Sequence, residues 1–301
     1  MNIVGHKKIF LTISVALIAA AVIVIVAFGF RAGIDFNGGT LWRFAISGSE
    51  PSMQDLEATF TSDLGVSEVR VNYDSGRGNF LARLPAITEQ DHQKFLDLLT
   101  GKYPAFSELS FQSIGPSVGA ELKRRSLIAI GLVLVGISLY IAFAFRKVYR
   151  PVSSWKYGWV TLASLLHDVL IPAGLLAILG RFARVEIDTN FVVALLVIAG
   201  FSVHDTIVVF DRIRENLFLD RGKTGFGEIV NQSINQTLAR SINTSLTLIL
   251  VLLALYFTGP ANLHYFVLTL LVGVTTGIYS SIFMASPLLL VWQQWSARRG
   301  K

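Results

Sequence analysis

Six stretches of the chain are apolar over about the 20 residues that a helix needs to cross a bilayer core, which limits the fold more than any other feature. They are residues 9–30, 126–145, 157–180, 187–210, 241–258 and 263–292. The fifth is short, and the sixth is long with Pro287 near its end. The first, "IFLTISVALIAAAVIVIVAFGF", follows Lys7 and Lys8. Its apolar run exceeds the roughly 7–15 residues of a signal peptide and no small-residue cleavage site closes it, so it reads as an uncleaved anchor. Charged residues make up 15% of the chain, against about 25% in soluble domains. These features describe a membrane protein.

Lysine and arginine near span ends set orientation. With the N-terminus inside, the inside segments 1–8, 146–156, 211–240 and 293–301 hold 14 of the 26 Lys and Arg residues. They include the clusters "RKVYR" (146–150), "DRIRE" (211–215) and "ARR" (297–299). The outside loops 181–186 and 259–262 hold only Arg181 and Arg184, so both termini are expected inside. This flanking charge explains the net +6 without a nucleic-acid partner. The absence of cysteine excludes a disulfide scaffold and thiolate chemistry.

The division expected is an N-terminal segment and first span (1–30), an external domain (31–125), spans two to six (126–292) with an inner loop at 211–240, and a tail (293–301). Within the external stretch, "TLWRFAI" (40–46) alternates as a half-buried strand does, with Trp42, Phe44 and Ile46 on one face. "SMQDLEATFTSDL" (52–64) puts Met53, Leu56, Phe60 and Leu64 on a helical stripe after the N-cap Ser52. "EVRVNY" (68–73) and "NFLARL" (79–84) alternate about the turn-rich "DSGRG"; "TEQDHQKFLDLL" (88–99) reads as a capped helix and "ELSFQSI" (108–114) as a last strand. The order β-α-β-β-α-β predicts an α+β ferredoxin-like domain between spans one and two of a six-helix membrane bundle. Such a fold does not name a function. "GIDFNGGT" (33–40) and "SIGPSVGAEL" (113–122) read as tight turns, and "GKT" (222–224) lacks the earlier glycine of a phosphate loop, so no cofactor site is indicated.

Three ionisable positions fall within or at the edge of spans: Asp168 at mid-span, Asp205 toward the inside end of the fourth, and Arg240 at the inside start of the fifth. A charge at the bilayer centre costs about 2.5–3.5 kcal/mol on insertion scales, so such groups face a protein interior or a wet cavity. Helical spacing aligns Arg240 with Asn243, Thr244 and Thr247, and Thr269, Gly273, Thr276 and Ser280 form a small, hydroxyl-bearing seam on the sixth span. Ser202 and Thr206 flank Asp205, so a polar interior among helices four, five and six is expected. Asp205 then serves either as half of a structural ion pair, with Arg240 or Arg212, or as a titrating carboxylate unloaded by an approaching arginine. Asp168 is a second relay point or a packing group. Neighbours on a helix point about 100° apart, so neither His167–Asp168 nor His204–Asp205 is expected to grip one metal ion.

"GIDFNGGT", "SIGPSVGAEL", "HDVLIPAG", "FSVHDTIVVFDRIREN" and "NQTLARSINTS" together resemble SecF proteins of the SecD/SecF protein-export family, within the resistance–nodulation–division superfamily. The resemblance covers essentially the whole chain. It implies a subunit of the bacterial inner membrane that works with SecD, the SecYEG channel and YajC, using the proton-motive force to promote preprotein translocation. It also implies that Asp205 is the proton-path aspartate and Arg240 its partner; His204 departs from the family pattern, standing where many relatives carry a neutral polar residue, and adds a titratable side chain. Two other classes fit the residues alone: a proton-driven small-molecule or lipid exporter, and a scaffold without ion traffic. No Ser/His or paired-Asp arrangement suggests a hydrolase.

Overall fold

The computed structural model describes residues 1–47, 51–76, 78–146, 152–220 and 222–299. The basic run at 146–150 lies outside the described residues beyond Arg146. The chain divides into a helical unit, Met1–Arg31 with Ile128–Lys301, and an α/β unit, Ala32–Leu127. In chain order the elements are α1 (Lys7–Phe28), α2 (Ile34–Asn37), β1 (Gly39–Ile46), α3 (Met53–Ala58), β2 (Arg70–Asp74), β3 (Asn79–Leu84), α4 (Glu89–Lys102) and β4 (Phe106–Ile114). They continue as α5 (Pro116–Ala144), α6 (Ser154–Phe182), α7 (Thr189–Asp220), α8 (Phe226–Thr258), α9 (His264–Tyr279) and α10 (Ser286–Arg299).

Among the described residues six helices are long and apolar enough to cross a membrane: α1, α5, α6, α7, α8 and α9 with α10, which together make one span. They outrun the apolar windows because the helical period persists after hydrophobicity falls. In α7, Ile213 and Asn216 stay buried while Arg214 and Glu215 face outward, carrying the helix to Asp220. α8 starts at Phe226 with Ile229, Val230 and Ile234 buried. The stretch 211–240, expected as a loop, is therefore mostly the end of one helix and the start of the next. The sixth span is broken by a π-helical turn at Ser280–Ala285, just before Pro287. Proline offers no N–H to the preceding turn, and a wider turn absorbs that defect.

Within the helical unit, α6 packs on α1, α7 and α9, and α7 packs on α8 and α9. Small residues set how closely they approach. A Cβ on Gly273 of α9 would run into Ile198 Cδ1 on α7, and one on Gly277 would sit 3.3 Å from Ser202 Cβ. Gly273→Ala is expected to destabilise the helical unit by about 1–3 kcal/mol through overpacking. Adding Ile198→Ala should recover most of that, because it removes the atoms the new methyl meets. Thermal melting in detergent checks both, and two additive losses would refute the contact.

The α/β unit holds a four-stranded antiparallel sheet in the order β2-β3-β1-β4. Trp42, Phe44 and Ile46 of β1 are buried as the alternation predicts, against Leu56 and Phe60, and against Phe95 and Leu99 of α4. Ser52 caps α3 in a reciprocal box with Asp55, and Thr88 caps α4 through the Asp91 N–H. α3 ends at Ala58, and a π-helical turn at Thr59–Asp63 continues it.

The glycine motifs do more than turn the chain. A Cβ on Gly38 would lie 2.8 Å from Pro116 Cα, and one on Gly119 would lie 2.9 Å from Gly38 N. "GIDFNGGT" and "SIGPSVGAEL" are thus pressed backbone to backbone. Gly38 also sits at φ +74°, which an L side chain resists.

One polar cluster lies at the edge of this aromatic core, where the exposed Glu108 of β4 reaches two buried side chains. The fully buried Trp42 donates its indole N–H to Glu108 Oε2 at 2.8 Å, and His92 Nε2 lies 2.7 Å from the same oxygen. Glu108→Ala would strand both groups, at about 1–3 kcal/mol for a buried donor left unmade. Residues 32–127 expressed alone are expected to melt cooperatively, with Glu108→Ala lowering Tm by about 4–8 °C per kcal/mol and Glu108→Gln by less. An unchanged Tm for Glu108→Ala would remove the cluster from the core's support.

Candidate intramembrane site

Asp168 is fully buried in α6 and its carboxylate joins three helices. Its Oδ2 accepts hydrogen bonds from Ser202 Oγ of α7 and, at 2.7 Å, from Ser280 Oγ at the start of the π turn. Ser164, one turn earlier on α6, donates to Ser280 Oγ at 3.1 Å. On the other oxygen, His167 Nδ1 lies 2.8 Å from Oδ1. Adjacent positions on a helix therefore do bring these two side chains together, although their Cβ vectors diverge. Four residues on, Pro172 cannot donate to the Asp168 carbonyl, so the helix is also weakened at this level.

Asp205, three residues after Ser202 on α7, is 2% exposed and meets α8 instead of α6. Ser245 Oγ of α8 donates to its Oδ2 at 3.1 Å. His204 Nδ1 stands 3.6 Å from Oδ1, and its own side chain is 64% exposed. Thr206 is buried but bonds back to the Ser202 carbonyl at 3.2 Å. Ser202 and Thr206 were both expected beside Asp205; Ser202 instead serves Asp168, and Thr206 is bonded to its own helix.

The face of α8 departs most from the spacing argument. Thr237, Ser241 and Ser245 form the buried hydroxyl stripe, while Arg240, Asn243, Thr244 and Thr247 are exposed. Thr244 donates to the Arg240 carbonyl at 2.9 Å and Thr247 to the Thr244 carbonyl at 2.7 Å. Both sets satisfy the helical period about 100° apart, so periodicity could not choose between them. Among the described residues no ion pair joins Asp205 to Arg240. Arg212 is also elsewhere, donating to Glu215 at 2.7 Å and Gln236 at 2.6 Å. The seam on the last span lies as read: Thr269, Gly273 and Ser280 are buried and Thr276 is half-buried.

Sequence reasoning missed Ser245, Ser241, Ser164 and the Nδ1 contact of His167. The run Thr237-Ser241-Ser245, spaced by four, was the available signal for the first two. Among the described residues no cluster of three or more His, Asp or Glu side chains is arranged to hold a metal ion.

Residues 94–295 match the family model described as protein export membrane protein SecD/SecF, C-terminal. A protein translocase subunit SecF of Thermobaculum terrenum is 44% identical over 304 residues, covering 97% of this chain and 94% of that one. A protein translocase subunit SecDF of Thermus thermophilus is 35% identical over 97% of this chain, which spans 38% of that longer protein. A crystal structure of SecDF from Thermus thermophilus, described as a translocon-associated membrane protein, superposes with a TM-score of 0.79 at 34% identity. It covers 98% of this chain and 39% of its own.

Proposed function

Because this chain belongs to the SecD/SecF protein-export family, matching SecF members along nearly its whole length, we propose that Asp205 carries protons whose passage drives preprotein translocation. The chain is a multi-pass membrane protein with an accessory role in Sec protein export. Relatives that join SecD and SecF in one polypeptide imply a SecD partner. The observation that carries the proton-relay reading is the setting of Asp205. It is buried with a serine hydroxyl and an imidazole beside it and, among the described residues, no lysine or arginine paired to it. An ionised carboxylate in such a place is expensive, so it suits a group that gains and loses a proton rather than a permanent anion.

Arg240 enters this mechanism from outside the single chain. With Asn243, Thr244 and Thr247 it forms an exposed polar stripe on a membrane helix, which hydrocarbon would tolerate poorly. That stripe is read as the face turned to the SecD partner, where Arg240 supplies the cation that discharges a carboxylate. Asp168, clamped by serines from α7 and the π turn, is the second acceptor, placed to pass a protonation change on to three helices.

The α/β unit is read as a ferredoxin-like domain on the periplasmic side of the bacterial inner membrane. Its β-α-β-β-α-β order and the strand order β2-β3-β1-β4 support that reading. The SecYEG channel, YajC and the preprotein belong to the same proposal. Both termini are cytoplasmic on the lysine and arginine bias. A reporter fused after residue 301 is expected to behave as cytoplasmic and one inserted at 74–78 as periplasmic; an external C-terminal reporter would reject this topology.

A further inference from the structure

We propose that His167 is a proton-binding site in its own right, coupled to Asp168 as a single carrier. This rests on the proton-relay reading above and extends it to a residue outside the Asp205 and Arg240 pair. The ring is fully buried on α6, with Nδ1 at 2.8 Å from Asp168 Oδ1. Its other nitrogen, Nε2, is buried without a hydrogen-bond partner among the described residues. A histidine retained only to hold Asp168 in place would be expected to satisfy both nitrogens, since an unmade buried polar group costs about 1–3 kcal/mol. Among the described residues the ring's aromatic neighbour is Tyr279, stacked at 6.0 Å, and its hydroxyl is committed to the Phe10 carbonyl at 2.9 Å.

Among the described residues no lysine or arginine is ion-paired with Asp168, and the carboxylate of Asp168 is the one charge partner of this ring. α7 contributes Ser202 and the π turn Ser280, both bonded to Asp168, and α9 contributes the phenol of Tyr279, which is tied to Ser14 and the Phe10 carbonyl of α1.

The proton balance follows from the geometry. In the unloaded pair Asp168 is a carboxylate and His167 is neutral, with its proton on Nδ1 directed at Oδ1 and Nε2 bare. A proton arriving at Nε2 allows the Nδ1 proton to cross to Oδ1. The loaded pair is then a neutral carboxylic acid beside a neutral imidazole of the opposite tautomer, and one proton has been taken up. Loading turns the charge-assisted bonds from Ser202 and Ser280 into ordinary ones, roughly halving their strength. The clamp between α6, α7 and the π turn therefore loosens when the proton is aboard. This gives protonation a direct mechanical consequence.

The test uses the full chain with its SecD partner in sealed vesicles. His167→Asn keeps an amide N–H near the Nδ1 position but cannot take a proton, so it separates holding Asp168 from carrying. The gradient-stimulated part of preprotein translocation should fall at least about tenfold, with partner assembly and gradient-independent translocation retained. Undiminished gradient stimulation with an unchanged pH profile would overturn the proposal. Asp205→Asn run in parallel distinguishes the failures. If it is inactive while His167→Asn is normal, only the His167 site falls; if both are fully active, the relay reading falls with it. Should His167→Asn fail to assemble, nitrogen NMR of labelled histidine in the unaltered complex decides. A change from the Nδ1–H to the Nε2–H tautomer as pH falls supports the carrier, and one tautomer throughout overturns it.

Discussion

Asp205→Asn is expected to abolish the stimulation of preprotein translocation by a proton gradient, while the protein still folds and assembles with its SecD partner. Asparagine is isosteric with aspartate and can still accept from Ser245 Oγ, which donates to the carboxylate at 3.1 Å. Packing on α8 should therefore survive, and a merely structural Asp205 would leave export intact. What asparagine removes is the titration. The driving force at stake is about 2.3 kcal/mol per charge per 100 mV, enough to bias a two-state helix rearrangement strongly. Translocation in vesicles carrying normal amounts of each variant reads the result, and gradient stimulation at the unaltered level would leave Asp205 a packing residue.

Arg240→Met should be nearly as damaging, for a reason the exposed stripe on α8 makes specific. Among the described residues Arg240 has no carboxylate partner, so removing its charge should strand no intramolecular ion and should not weaken the isolated subunit. The loss should be confined to the assembled complex, where its guanidinium meets the carrier. Arg240→Lys keeps the charge without the planar fork and should retain part of the activity. The same vesicle assay, alongside melting of the subunit alone, checks both halves. A large drop in the stability of the isolated subunit with Arg240→Met would show that the arginine works inside the chain instead.

The membrane architecture was legible because apolar length alone marks a span, and because Trp42, Phe44 and Ile46 alternate cleanly in β1. The ends of α7 and α8 were not, since Ile213 and Ile229 continue the buried face into sequence that reads as charged loop. At the site, a carboxylate among apolar residues announced Asp205 and Asp168 without any geometry. Their partners depended on rotation about the helix axis, which periodicity leaves free. Ser202 and Asp205 are three residues apart, yet Ser202 donates to Asp168 while Asp205 accepts from Ser245, and α8 offers two polar stripes of which only tertiary packing selects one. The π turn that delivers Ser280 to Asp168 leaves no periodic mark beyond the proline that follows it.

Infrared difference spectroscopy of the membrane-embedded complex through a pH titration bears most directly on Asp205 as the proton carrier. A protonated-carboxyl band should grow as pH falls, and Asp205→Asn should delete that band while other titrating features remain. Identical titration spectra from the unaltered protein and Asp205→Asn would contradict the proton-carrier role.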